Sequence, residues 1–195
     1  MMQPTHQFSD SELIQAYLQG HAPSLETLIY RHKDKIYTTI FMLVKDQYLA
    51  EDIFQEAFLK IIRTLNGGRY SEQGKFLPWA IRVAHNLCMD HFRKVRQDIP
   101  VITEDGREII QLMQFASESA ADGLERRQVH HSVRQLIEEL PEEQREVVVL
   151  RIYGDMSFKE IADITSVSIN TALGRMRYGL INLRRMITEK QMVLR

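Results

Sequence analysis

Apolar residues recur at steps of three and four along almost the whole of this chain, and the pattern lapses only once, from Gln97 to about Gly123. That spacing puts one apolar stripe on each helix, so the chain is constrained to pack helices on either side of a break. Leu13, Ile14, Tyr17 and Leu18 mark a first short helix, which Ser9 or Asp10 can cap and Gly20 can end. Leu25, Leu28, Ile29, Ile36, Ile40 and Leu43 mark a second, starting near Ser24. Ile53, Phe54, Ala57, Phe58, Ile61 and Ile62 mark a third, which stops at Asn66-Gly67-Gly68. The segment RYSEQGKF reads as a loop, and a fourth helix runs from about Leu77 to Val95. Pro78 falls in its first turn, where a missing N–H does no harm.

The stretch that lacks periodicity carries acids and small polar residues and reads as a linker, able to reach roughly 90 Å when extended. Helical spacing resumes at LERRQVHHSVRQLIEEL. Pro141 then opens PEEQREVVVLRIY, which Gly154 closes. Ser157 and Glu160 make a capping-box pattern, Thr165-Ser166-Val167 a tight turn, and Ser168 a cap for a long last helix. The expected fold is all-α: two small helical domains, 1–96 and 124–195, joined by a linker over 97–123. With 44% apolar residues in 195, both can build cores. The longest apolar runs, TTIFMLV and EVVVL, are too short to span a bilayer, and nothing at the start resembles a signal peptide. One cysteine, Cys88, excludes an intramolecular disulfide. A cytoplasmic protein, not inserted in a membrane, is the expectation.

A net charge of −1 says nothing by itself for nucleic acid, but the charges are segregated. Cations gather at RVAHNLCMDHFRKVRQ and GRMRYGLINLRRM, acids at AEDIFQE and EELPEEQRE. Separate basic and acidic surfaces let one chain hold DNA and protein together. Short helix, brief turn and longer helix at the C-terminal end have the spacing of a helix-turn-helix. On the last helix, Ile169, Ala172, Leu173, Met176, Leu180, Leu183 and Ile187 are expected to pack on the preceding helices. The opposite side carries Asn170, Thr171, Gly174, Arg175, Arg177 and Tyr178 behind the capping Ser168. Short donors near a helix start can reach base edges while the cations hold phosphates.

LAEDIFQEAFLKIIRTL, followed by FLPWAIRVAHNLCMDHFRK, resembles region two of the extracytoplasmic-function sigma factors of the sigma-70 family. LPEEQREVVVLRIYGDMSFKEIADITSVSINTALGRMRYGLINLRRMI resembles their region four. The two stand in the family's order, with the unmatched linker between them. The resemblance implies a four-helix region-two domain and a helix-turn-helix region-four domain. It implies a factor that binds the RNA polymerase core and directs promoter recognition, DNA melting and transcription initiation. By the same resemblance Glu51, Asp52, Gln55, Glu56 and Phe58 contact the polymerase; an acidic, amide-bearing helix face suits an arginine-rich partner. The −10 element falls to Tyr70, Lys75, Phe76, Trp79, Arg82, Asn86, Asp90, Arg93 and Lys94. The −35 element falls to Ser168, Asn170, Thr171, Gly174, Arg175, Arg177 and Tyr178. Most relatives also have an anti-sigma factor as partner.

The chemistry agrees with that assignment. Unstacking a base costs a few kcal/mol, and stacking it on an aromatic side chain returns about 1–3 kcal/mol. Asn86 offers both a donor and an acceptor to a base edge. Trp79 could equally be a partly buried core anchor, and Asn86 could be held by a local hydrogen bond. Two residues depart from the family pattern at the −35 reader: Leu173 where many relatives are basic, and Asn170 where many have glycine. Pro78 replaces a more usual small polar residue.

His85, Cys88 and His91 recur in steps of three, which drift around a helix and converge poorly on a metal. Cys88 reads as a small core residue, His85 and His91 as part of a DNA-facing region, and His130-His131 as surface. No nucleotide loop, nucleophile elbow or paired-carboxylate site stands in the sequence, so no cofactor, small-molecule substrate or enzyme activity is expected. The competing expectations are a stand-alone helix-turn-helix regulator and a pure protein-interaction module.

Overall fold

The computed structural model describes residues 8–71, 74–98 and 132–190, apart from the side chains of 96–98. In chain order the helices are α1 (Asp10–Leu18), α2 (Ala22–Val44), α3 (Gln47–Asn66), α4 (Phe76–Asp98), α5 (132–138), α6 (Glu142–Ile152), α7 (Phe158–Ile164) and α8 (Ile169–Glu189). No strand occurs among the described residues.

The helix ends follow local chemistry. Ser9 caps α1 in a reciprocal box with Glu12, and Gly20 turns the chain at φ +98°. Pro23 sits in the first turn of α2, which begins two residues before Ser24. Lys45 ends α2 in the left-handed conformation, and the Asp46 side chain accepts from the Leu49 N–H to cap α3. Ser157 and Glu160 form the second capping box. Ser166, at φ 55°, makes the turn before Ser168 caps α8 through the Thr171 N–H. The expected linker begins later than Gln97, because α4 continues to Asp98. Residues 99–131, including His130 and His131, lie outside the described residues.

Helix α2 is the hub of the N-terminal unit. Its Leu28, Ile36, Ile40 and Met42 are fully buried, and it packs on α1, α3, α4 and also on α6. Asp10 binds α1 to α2 through Arg31 at 2.7 Å and His32 at 2.8 Å. Burial pushes the His32 imidazole below its ordinary pKa, against the upward pull of Asp10. In the C-terminal unit, the run Val147–Leu150 of α6 is buried, and α6 and α7 both pack on α8.

The two units lie against each other. Ile81, Ala84 and Cys88 of α4 belong to the same buried cluster as Val147–Leu150, Met156 and Ile161. Gly154 fits at this seam, where an added Cβ would stand 3.2 Å from Ile81 Cγ2.

Helix α8 corrects one expectation. Only Ala172 and Gly179 are fully buried along it, while Ile169, Leu173 and Leu180 are exposed, Leu173 by 44%. The small residues explain the difference. A Cβ on Gly179 would stand 3.0 Å from Val148 Cγ2, so α8 meets α6 closely along its Ala172–Gly179 line. The helix is thereby turned enough to leave the bulkier edge in solvent.

Candidate polymerase and nucleic-acid interfaces

Helix α4 carries most of the expected −10 residues. Phe76, Leu77, Ala80, Ile81, Ala84, His85, Leu87 and Cys88 face the interior. At 100° per residue, Lys75, Trp79, Arg82, Asn86, Asp90 and Arg93 then fall on one outward stripe. Lys75, Arg82, Asn86, Arg93 and Lys94 are exposed, Trp79 and Asp90 half-buried. Asp90 accepts from Arg93 at 2.9 Å, which neutralises one cation of the stripe within the helix.

An aromatic cluster supports the N-terminal end of this stripe. Tyr70, from the loop before α4, has its ring 4.4 Å from that of Trp79, and Phe76 lies 5.8 Å from Trp79. Phe76 is only 1% exposed, so it carries Trp79 and Tyr70 from below and presents no face of its own. Tyr70, Trp79, Lys75 and Arg82 line a cleft of about 340 Å³. Pro78 lines it too, and the Trp79 N–H donates to the Lys75 carbonyl, so the proline disturbs no helical bond.

His85 lies elsewhere than the DNA-facing region expected for it. It is 2% exposed and its Nε2 is 2.9 Å from Glu146 of α6. Its Nδ1 has no hydrogen-bond partner among the described residues. Cys88 is a core residue, with burial pushing its thiol up to about 12. No cluster of three or more metal-ligating side chains occurs among the described residues.

On α3, Glu51, Asp52, Gln55 and Glu56 are all exposed, and Glu51 accepts from Gln47 at 3.1 Å. Phe58 is buried, packed edge-on to Phe54 at 4.7 Å, so it shapes the helix from inside. Two residues that sequence reasoning passed over stand on the outer face. Tyr48 is 74% and Leu59 54% exposed, and together with Asp52 and Gln55 they follow helical spacing. The signal was available in the periodicity, because both fall outside the buried stripe of their own helix.

At the start of α8, Ser168, Asn170, Thr171, Arg177 and Tyr178 are exposed, and Gly174 and Arg175 half-buried. Ser168 and Thr171 hydroxyls bond each other at 2.8 Å. Gly174 has nothing within 4 Å of where a Cβ would be, so another backbone or a groove wall can approach closely there. Thus α3, α4 and α8 each bring their expected residues to a surface, with Phe58 and Phe76 as buried supports.

Comparison with known proteins matches residues 28–97 to Sigma-70 region 2 and residues 130–173 to Sigma-70, region 4. This chain belongs to the sigma-70 family. Within it the chain is an extracytoplasmic-function sigma factor, a class of transcription initiation factor. It is 28% identical over 178 residues to the ECF RNA polymerase sigma factor SigW of Bacillus subtilis, covering 88% of this chain and 92% of that one. It is 27% identical over 173 residues to the RNA polymerase sigma-H factor of Pseudomonas aeruginosa, covering 87% and 89%. Among solved structures, the fold of this sigma factor is similar to RpoE of Bartonella quintana in complex with the anti-sigma factor NepR. The TM-score there is 0.61 at 15% identity, over 84% of this chain and 96% of that one. CnrH in complex with the cytosolic domain of CnrY gives 0.60 at 18%, over 93% and 99%.

Proposed function

We propose that the outer face of α3 seats this sigma factor on the RNA polymerase core, that the outward stripe of α4 captures the opened −10 strand, and that α8 holds the −35 element as duplex. Residues 1–98 act as the region-two domain and 124–195 as the region-four domain, with the stretch after α4, 99–123, as the tether. Catalysis of RNA synthesis belongs to the polymerase. The factor works in the cytoplasm, where polymerase and DNA are, and an anti-sigma factor covers its surfaces when it is held inactive. Support for that partner comes from the similar solved structure of RpoE in complex with the anti-sigma factor NepR.

The observation that carries the reading is the single stripe of Lys75, Trp79, Arg82 and Asn86, with the Tyr70 ring packed at a tilt against the indole. It joins cations for phosphate, an aromatic platform and an amide that can read a base edge. Tyr48 and Leu59 add apolar contact to the acidic face of α3.

The test is promoter opening with purified core polymerase and the chain carrying Asn86→Ala or Trp79→Ala. Loss of one base contact, worth about 1–3 kcal/mol, lowers open-complex formation roughly five- to 150-fold while core binding is retained. Strong sequence-specific duplex binding by the chain without core polymerase would overturn the reading in favour of a stand-alone regulator.

A further inference from the structure

The exposed leucine near the start of α8 lies among groups that suit duplex DNA. Asn170, Leu173, Gly174 and Arg177 follow one another at steps of three and four, on the side of the helix opposite buried Ala172 and Gly179. Leu173 is nearly half exposed, and the side chains on either side of it along that line are an amide and a guanidinium. The cap already engages Ser168 and Thr171 with each other, which leaves Asn170 as the amide at the helix start. Beside Leu173, nothing lies within 4 Å of where a Cβ on Gly174 would be, so a groove wall can come close and bring the leucine to the depth of the base edges. Charge decides the occupant. Arg175, Arg177, Arg184 and Arg185 are the cations within α8, and its first acid is Glu189 in the last turn. An apolar protein surface would leave those guanidinium groups unpaired, whereas a duplex offers them phosphates.

In a major groove an exposed leucine has one apolar partner, the 5-methyl group of thymine, and an asparagine has one bidentate partner, the N6 and N7 of adenine. Three helical residues advance about 4.5 Å, little more than the roughly 3.4 Å step between base pairs, so the two side chains reach neighbouring pairs. We propose that Leu173 is a specificity-determining residue of the −35 reader, packing on the methyl group of a thymine one base pair from an adenine that Asn170 reads. A cation at this position would select guanine through O6 and N7 instead. The inference rests on the proposed role of α8.

The experiment uses the full chain bound to core polymerase. Duplexes are first selected from a promoter library with the −35 window randomised, for the parent and for Leu173→Arg. The parent is expected to enrich a thymine beside an adenine, and Leu173→Arg to exchange that one T·A pair for G·C while the adenine stays. Each thymine of the parent's best duplex is then replaced by uracil, which removes the methyl group and no hydrogen-bonding group. At one position uracil should weaken the parent about three- to fivefold in a competition gel shift, the worth of one buried methyl group. Leu173→Ala should bind the thymine duplex more weakly and be indifferent to uracil there. Leu180→Ala, at a comparably exposed leucine two turns on, should keep the uracil response. No uracil effect at any position, the same effect in Leu173→Ala, its loss in Leu180→Ala, or an unchanged preference in Leu173→Arg would each overturn the proposal. Arg177→Ala separates the failures. If it weakens binding across −35 sequences while the uracil scan is flat, α8 holds the element and Leu173 does not read it. If it too leaves binding unchanged, the reading of α8 is wrong as well.

Discussion

Two glycines show how the same substitution acts in opposite directions. At Gly154 an added Cβ would come within 2.6 Å of the Leu150 carbonyl oxygen and 3.2 Å of Ile81 Cγ2, at a point where backbone cannot yield. Gly154→Ala is expected to destabilise the chain by about 1–3 kcal/mol in urea unfolding. At Gly174 the space is open and the residue lies inside a helix. Gly174→Ala is expected to stabilise by about 0.5–1 kcal/mol in the same measurement. Cys88 gives a third residue-scale expectation. Its burial and its thiol at about 12 keep it from reacting with a disulfide reagent at pH 8 until the chain is denatured, as absorbance of the released thiolate would report.

Among the elements, α8 depends most on one residue at its start. Ser168→Ala removes the side chain that accepts from the Thr171 N–H and frees the Thr171 hydroxyl. Helix stability should fall by about 1 kcal/mol, and binding of a −35 duplex by the polymerase complex should weaken with it, as a gel-shift titration would show. Caps of this kind are legible in a sequence because donor and acceptor lie three residues apart, and Ser9, Ser157 and Ser168 could all be placed that way. The stripe of α4 is legible by another route, the resemblance to region two, which names Lys75, Trp79, Arg82 and Asn86. The rotation of α8 is legible by neither. It depends on how closely Gly179 lets α6 approach, and periodicity alone assigns Leu173 to the wrong edge of the buried face. His85 was misplaced for a similar reason: its partner Glu146 is 61 positions away, and no local pattern marks a pair so distant.

On the scale of the whole molecule, Glu160 serves both units at once, as a cap for α7 and as partner to Lys75. Burial works to raise its carboxyl, but hydrogen bonds from Ser157 and Lys75 outweigh it and hold the group at about 2, below the ordinary 4.5. A carboxyl depressed on folding adds stability that is complete above about pH 4.5 and is lost as pH falls toward 2. Urea unfolding at pH 6 and pH 2.5 should therefore show the parent losing more stability than Glu160→Gln over that interval.

The unmatched Nδ1 of His85 has its own consequence. A polar atom sealed from water without a partner costs about 1–3 kcal/mol, a penalty that vanishes once solvent reaches the ring. The seam between α4 and α6 therefore gives up part of its apolar gain at this one atom, and any motion that wets the ring recovers it. A junction with that atom satisfied would be correspondingly harder to open.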